Sequence, residues 1–200
     1  MTELTATLDP AFFELERQAS EAYSRFVFDS NREADEFWHV LIDARAAEFL
    51  PPFGRPMVDA GRVVAMMACL GQHDLRAMRL RSAAALAKAR FFLARPDAQR
   101  RVQLASRAQM VVQPSDYYLS RLAVGTGQRR CGFGRRLLTQ FEAEATQRGC
   151  IRLVLEVSAD NAAAIGFYEN YGFTRTSAFR VVDDQSGRAL EYIHMAKPIA

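Results

Sequence analysis

The sequence predicts an α/β domain, helix-weighted in its first half and alternating between strand and helix in its second. Three observations predict it. Apolar residues recur at spacings of three and four in several long stretches. Short runs rich in Val, Ile, Leu, Tyr and Phe lie between those stretches, most of them in the second half. Glycine and proline fall at the boundaries between the two kinds of segment. Over 200 residues, 50% hydrophobic and 24% charged side chains are the balance of one globular domain. That balance excludes a disordered chain, a fibrous repeat and a disulfide-dense miniprotein.

Taken in order, residues 10–26 read as a helix, with Phe13, Ala19, Ala22, Tyr23 and Phe26 along one face. Residues 31–49 read as a second, opened by Asn31 and striped by Phe37, Val40, Leu41 and Ala44. Pro51-Pro52-Phe53-Gly54 stops it. Arg55–Asp59 and Arg62–Leu70 form a hairpin around Ala60-Gly61. Leu75–Ala94 is an Ala-, Leu- and Arg-rich helix without Gly or Pro. Pro96 and Asp97 start another that runs to about Met110. Beyond Pro114 come a strand at Tyr117–Val124, a Gly- and Arg-rich turn at Gly125–Gly134 and a helix at Arg135–Arg148. A strand at Ile151–Val157, a helix at Asn161–Tyr171 and strands at Thr174–Val182 and Ala189–Ala196 complete the chain.

Several function classes drop out early. The longest apolar run, Val63–Leu70, is far shorter than the roughly 20 residues a membrane helix needs, and Met1-Thr2-Glu3 does not begin a secretion signal, so no membrane association is expected. Cys69, Cys131 and Cys150 are odd in number and scattered, which suggests reduced thiols and a cytoplasmic location. His39, His73 and His194 lie far apart and read as structural, so no metal is expected. Charge is split along the chain. Residues 1–50 carry eleven acids against four bases, net −7, and residues 71–110 carry nine bases against two acids, net +7. Opposed helix faces that pack together explain this split better than a nucleic-acid surface does, because aromatic stacking platforms are not interleaved with the bases.

The chemistry-bearing segment is Arg129-Arg130-Cys131-Gly132-Phe133-Gly134, between a strand and a helix. The first turn of a helix leaves N–H groups unpaired at the positive end of its dipole. Gly132 and Gly134 remove side chains that would hold a phosphate away, and Arg129, Arg130, Arg135 and Arg136 add positive charge. This is a pyrophosphate cradle as well as an ordinary Gly-rich connection. A second constellation follows. Glu156 sits between apolar neighbours on a strand that leads to a helix opened by Asn161, which carries Tyr168 two turns on. A carboxylate in that setting is either paired or a base with a raised pKa.

Residues 117–196 resemble the core of the GNAT superfamily of N-acetyltransferases. The pattern Gln/Arg-x-x-Gly-x-Gly/Ala is filled by Arg129, Gly132 and Gly134. The later Asn-x-x-Ala-x-x-Phe/Leu-Tyr-x-x-x-Gly-Phe is filled by Asn161, Ala164, Phe167, Tyr168, Gly172 and Phe173. The core is most similar to the ribosomal-protein N-terminal acetyltransferases. The resemblance implies a mixed, mostly antiparallel central sheet flanked by helices. It implies an N-acyltransferase that uses acetyl-CoA as cosubstrate and moves the acetyl group to a primary amine, on a small molecule or a protein, by direct attack on the thioester. It implies that pantetheine lies along Leu122, Ala123 and Val124, that the pyrophosphate lies on the amides from Arg129 through Arg130, Cys131, Gly132, Phe133 and Gly134 to Arg135, and that Asn161 meets the cofactor arm while capping its helix.

Acetyl transfer needs a neutral amine, a base for its proton and an acid for the departing thiolate. Tyr168 is the expected acid. Many relatives carry the glutamate base on the strand before the signature. That strand here offers Tyr117, Tyr118 and Ser120 and no glutamate, which leaves Glu156 as the expected base. The first half departs from the family pattern. Only Leu4–Leu8 is available for the usual first strand, and a basic helical insertion, residues 74–110, separates the hairpin from the signature strand. The chain divides into residues 1–73 with helices and hairpin, the insertion, and the acetyl-CoA-binding core at 117–196. The insertion is expected beside the acceptor entrance, with a homodimer surface left open. A non-catalytic acyl-CoA-binding or protein-interaction module built on the insertion is the alternative, and an intact Asn161–Tyr168 helix disfavours it.

Overall fold

The computed structural model describes residues 9–199, so the strand expected at Leu4–Leu8 lies outside the described residues. Three helices open the structure: α1 (Pro10–Ala19), α2 (Glu21–Val27) and α3 (Asn31–Asp43). The hairpin β1 (Gly54–Asp59) and β2 (Arg62–Gly71) leads into α4 (Gln72–Leu86), α5 (Arg90–Leu93) and α6 (Pro96–Arg107). The second half runs β3 (Asp116–Val124), α7 (Phe133–Gln147), β4 (Arg152–Ser158), α8 (Ala162–Tyr171), β5 (Thr174–Asp183) and β6 (Arg188–Pro198).

The strands form one six-stranded sheet in the order β1-β2-β3-β4-β6-β5. All neighbours are antiparallel except β3 and β4, which are parallel and joined through α7. The sheet is therefore mixed and mostly antiparallel, as expected. Helices cover both faces. The α7 and α8 side buries Leu137, Leu138, Phe141, Ile165 and Phe173 against Leu119, Leu153 and Leu155. The other side packs α1–α6 through Phe12, Phe26, Phe37, Phe49, Leu86 and Phe92. With both faces covered, β2 is apolar along nearly its whole length, and residues 63–70 are all buried.

Element boundaries moved where packing overrode local propensity. The helix expected over 10–26 breaks at Ser20, whose hydroxyl turns inward onto the buried Glu16 carboxylate. The helix expected to reach residue 49 stops at Asp43, just before Arg45 in the left-handed region at φ 50°. The Ala-rich helix expected over 75–94 begins at Gln72 and ends at Leu86. A turn then resets the chain so that Phe92, on the short α5, packs against Phe37 with ring centroids 5.9 Å apart. The helix after Pro96 ends at Arg107 rather than near Met110.

The split charge is resolved by pairing across the helical layer. Arg95 meets Glu33 at 3.1 Å, and Arg101 meets Asp29 at 2.9 Å. Arg100 and Arg101 also converge on Asp183, at 2.9 and 3.0 Å, where β5 turns toward β6. Asp183 is 1% exposed, and hydrogen bonds from Arg100 and Ser186 lead the effects that hold its carboxyl below the ordinary carboxylate range. These contacts fasten the insertion to the rest of the domain.

Candidate active site

The site begins with a defect in the sheet. The β3–β4 ladder pairs Asp116 through Leu119 with Arg152 through Leu155 and then stops. At the same point the β2–β3 register jumps, with Cys69 opposite Leu119 and Ala68 opposite Arg121, so Ser120 is an extra, bulged residue. A bulge bends its strand and sharpens its twist. Beyond it, Arg121–Val124 stays on β2 while its other edge has no strand partner. The bulge also resets the alternation of faces. Tyr117 and Leu119 point to the α7 side before it, and Leu122 and Val124 do so after it. Tyr118 and Arg121, three apart, consequently share the opposite face.

The open wedge faces the start of α7. Gly132 caps that helix at φ 84° with no side-chain cap, and Arg130 is also left-handed at φ 64°. The first backbone bond of the helix is Arg136 N–H to the Gly132 carbonyl at 3.0 Å. The N–H groups of Gly132, Phe133, Gly134 and Arg135 find no acceptor among the described residues. They form a concave donor set at the positive end of the helix dipole. A Cβ on Gly132 would meet nothing within 4 Å, so the space over these donors is open. Gly134 has a different role, since a Cβ there would approach Phe167 Cζ to 3.0 Å, and its absence lets α7 close on α8. Arg129 donates to the Val124 carbonyl at 3.3 Å, and Arg130 and Cys131 are exposed.

Glu156 is the first β4 residue past the last β3 partner. Its side chain is 10% exposed. One carboxylate oxygen accepts the Met110 N–H, and the other accepts the Tyr118 hydroxyl at 3.4 Å. Burial pushes its pKa up, against the Met110 N–H and the neighbouring His194 and Arg79, which favour the charged form. His194 lies directly opposite on β6, with Nε2 3.9 Å from Glu156 Oε1. Because a carbonyl only accepts, Nε2 carries a proton and donates it to the Ala108 carbonyl at 3.0 Å, while Nδ1 lies 3.1 Å from the Ser177 hydroxyl. His194 thus has both ring nitrogens occupied and holds the end of the insertion against the sheet.

Tyr168 approaches from the other face. It is buried among Phe167, Phe173 and the apolar side chains of both diverging strands. Its hydroxyl makes no hydrogen bond among the described residues, yet it is not a sealed-in polar atom, so it reaches open space. Burial raises its pKa well above that of a free tyrosine. Asn161 caps α8, accepting the Ala164 N–H at 3.0 Å. Glu156 and Tyr168 do not touch each other; they stand on the two faces of the sheet at the wedge.

On the Glu156 side lies a cavity of about 310 Å³. Its wall joins α1, α2 and α3 to the insertion helices α4 and α6 and to β3, β4 and β6. Sequence reasoning missed most of its polar residues. Glu48 accepts from Ser120 at 2.6 Å, Arg121 donates to Ser20 at 3.0 Å, and Arg79 reaches in from α4. Their spacing in sequence carries no common period, because they come from separate elements. A wider hollow of about 1200 Å³ over α1–α3 includes no residue of β3 or β4. Among the described residues no group of three or more His, Cys, Asp or Glu side chains gathers for a metal, and no helix is long and apolar enough to cross a membrane.

The sheet is split between two parallel strands, and a helix start rich in free N–H groups follows the open strand. The model of the acetyltransferase (GNAT) family matches residues 8–173, and the chain belongs to that family. Among curated relatives, the [ribosomal protein bS18]-alanine N-acetyltransferases of Escherichia coli K12 and Salmonella typhimurium LT2 are each 39% identical over 82 residues, covering 41% of this chain. The match spans about half the length of these relatives, 55%. A ribosomal-protein-alanine N-acetyltransferase from Brucella melitensis has the same fold, with a TM-score of 0.55 at 20% identity, over 99% of this chain and 96% of the other. So has an IAA acetyltransferase from Bacillus cereus, with a TM-score of 0.50 at 13% identity, over 95% and 92%.

Proposed function

We propose that the protein is an acetyl-CoA-dependent N-acetyltransferase acting on a primary amine in the cytoplasm. The observation that carries this reading is the combination of three features: the strand wedge, Glu156 at its apex, and the unsatisfied N–H groups of Gly132–Arg135 at the helix that follows the open end of β3. These residues fit acetyl-CoA. The α7 donors suit its pyrophosphate, and the free edge of Leu122, Ala123 and Val124 suits the amides of pantetheine. Acetyl-CoA supplies an activated acyl group on a good leaving thiolate.

The chain's own residues supply the rest. Glu156, on the cavity side, takes the proton that the amine nitrogen must lose as its bond to the acyl carbon forms. A buried carboxylate with a raised pKa is a stronger base than a free one, and Met110 N–H and Tyr118 hold it in place. Tyr168, on the other face, gives its hydroxyl proton to the departing sulfur and regains one from solvent. Its high pKa keeps it protonated until that moment. Free N–H groups on the unpaired edge of β3 are the donors available to negative charge on the acyl oxygen. The test is thiol release from acetyl-CoA in the presence of a panel of primary amines, including a peptide that begins with alanine. Amine-dependent release with a mass gain of one acetyl group is expected. Absence of release with every amine would overturn the reading.

A further inference from the structure

The cavity beside Glu156 holds an unpaired cation. Arg79 lines it from α4, and its guanidinium makes no hydrogen bond or ion pair among the described residues. Its Nε is shielded from solvent with no partner, which is costly for a charged donor unless something else completes it. Arg121, the other arginine on this wall, is by contrast satisfied by Ser20 and lies 3.7 Å from Glu16. Arg79 is near enough to Glu156 and Tyr118 to favour their charged forms. The rest of the wall is mostly apolar, and Tyr23, Phe37, Trp38, Tyr118 and Tyr192 give it an aromatic part. A volume of about 310 Å³ stands at the small end of ligand sites, which run from roughly 300 to 1,000 Å³.

Resting on the transferase reading, we infer that the acceptor is a small amine that bears an acidic group close to its nitrogen and an aromatic or apolar body: an aromatic amino acid or a close analogue. The amine faces Glu156, the acid pairs with the Arg79 guanidinium, and the body lies against the aromatic part of the wall. Arg79 is then a specificity residue contributed by the insertion. An arginine fork is suited to a carboxylate because it offers parallel N–H donors to both oxygens. This reading also gives the insertion a task, since α4 brings a cation into a wall whose other acids and bases are already paired.

The experiment compares phenylalanine with phenethylamine, which differ only in the carboxylate, and adds a peptide beginning with alanine as the third acceptor. Thiol release is followed with the full chain, and acetyl-CoA binding is measured by calorimetry on the same preparation. For the wild type, kcat/KM for phenylalanine should exceed that for phenethylamine by at least about tenfold. Arg79→Met should raise the KM for phenylalanine by about 10- to 100-fold, the worth of a hydrogen-bonded charge pair, and bring the ratio of the two substrates near one. Arg79→Lys should restore part of the preference. Equal use of the two small amines, a preference that survives in Arg79→Met, or turnover of the peptide alone would overturn the inference. Acetyl-CoA binding without turnover of either small amine counts against this acceptor and leaves the cofactor site standing. Absence of acetyl-CoA binding overturns both readings.

Discussion

Removing the Tyr168 hydroxyl should cost catalysis heavily and stability almost nothing. In Tyr168→Phe the ring keeps its packing against Phe167 and Phe173, with centroids at 5.4 and 5.8 Å. The hydroxyl has no partner among the described residues, so its loss leaves no buried group unsatisfied. A stability change under about 0.5 kcal/mol follows, within about 2 °C in Tm for a chain of this size. General acid catalysis is worth roughly 10²–10⁴ in rate, or about 3–5 kcal/mol of barrier. The internal control is Tyr117, another buried tyrosine on the same side of the sheet, whose hydroxyl donates to Glu144 at 3.0 Å. Tyr117→Phe should lose about 1–2 kcal/mol of stability and keep its kcat, the reverse pattern. The assay pairs steady-state thiol release with thermal unfolding of both variants. A Tyr168→Phe enzyme within threefold of wild-type kcat, or one that melts well below wild type, would refute the assignment of an acid.

Further outcomes follow from the same geometry. Glu156→Gln should lower kcat/KM by about 10²–10³. The wild-type rate should rise with pH through a value above the usual carboxylate pKa of about 4.3, because burial raises that of Glu156 and only its deprotonated form accepts a proton; this limb should vanish in the variant. Asn161→Ala should cost about 1 kcal/mol through loss of the α8 cap, read as a lower Tm, and Asn161→Ser should recover most of it. Asp183→Asn should destabilise the protein at neutral pH. With the folded pKa lowered, the wild-type contribution is complete above the unfolded value of about 3.9 and fades as pH falls through the folded one, so the gap in Tm should close in acid.

Much of the core was legible because it depends on short-range chemistry. The Asn161 cap and the α7 and α8 stripes are local patterns and stand where the residues place them, although α7 begins at Phe133, two residues before the expected Arg135. The strands of the second half followed from alternating strand and helix patterns, and their mixed, mostly antiparallel sheet from the family resemblance. What was not legible depends on contacts between distant segments. The Ser120 bulge, which opens the wedge and puts Tyr118 and Arg121 on one face, leaves no mark in the run Tyr117–Val124, because strand alternation alone assigns those two residues to opposite faces. The break at Ser20 depends on its bond to Glu16, and Arg121 then reaches across to the Ser20 hydroxyl. Helix propensity alone joins α4 to α5, whereas burying Phe92 against Phe37 requires the turn between them. The cavity has no sequence signature, because Arg79, Glu48 and Glu156 meet only after the insertion is fastened by Asp29 and Asp183.

The central claim is that the open donors at the start of α7 hold acetyl-CoA. Calorimetric titration of acetyl-CoA into wild-type protein and Gly132→Glu tests it most directly. The substituted side chain projects into the open space above the donors and adds a negative charge there, while the left-handed backbone costs only about 1–2 kcal/mol of stability, which thermal unfolding checks. Saturable binding by the wild type, with at least about hundredfold weaker binding by a folded Gly132→Glu, two factors of ten or about 2.8 kcal/mol, is the predicted result. No binding by the wild type, or equal affinity in the variant, would contradict the account.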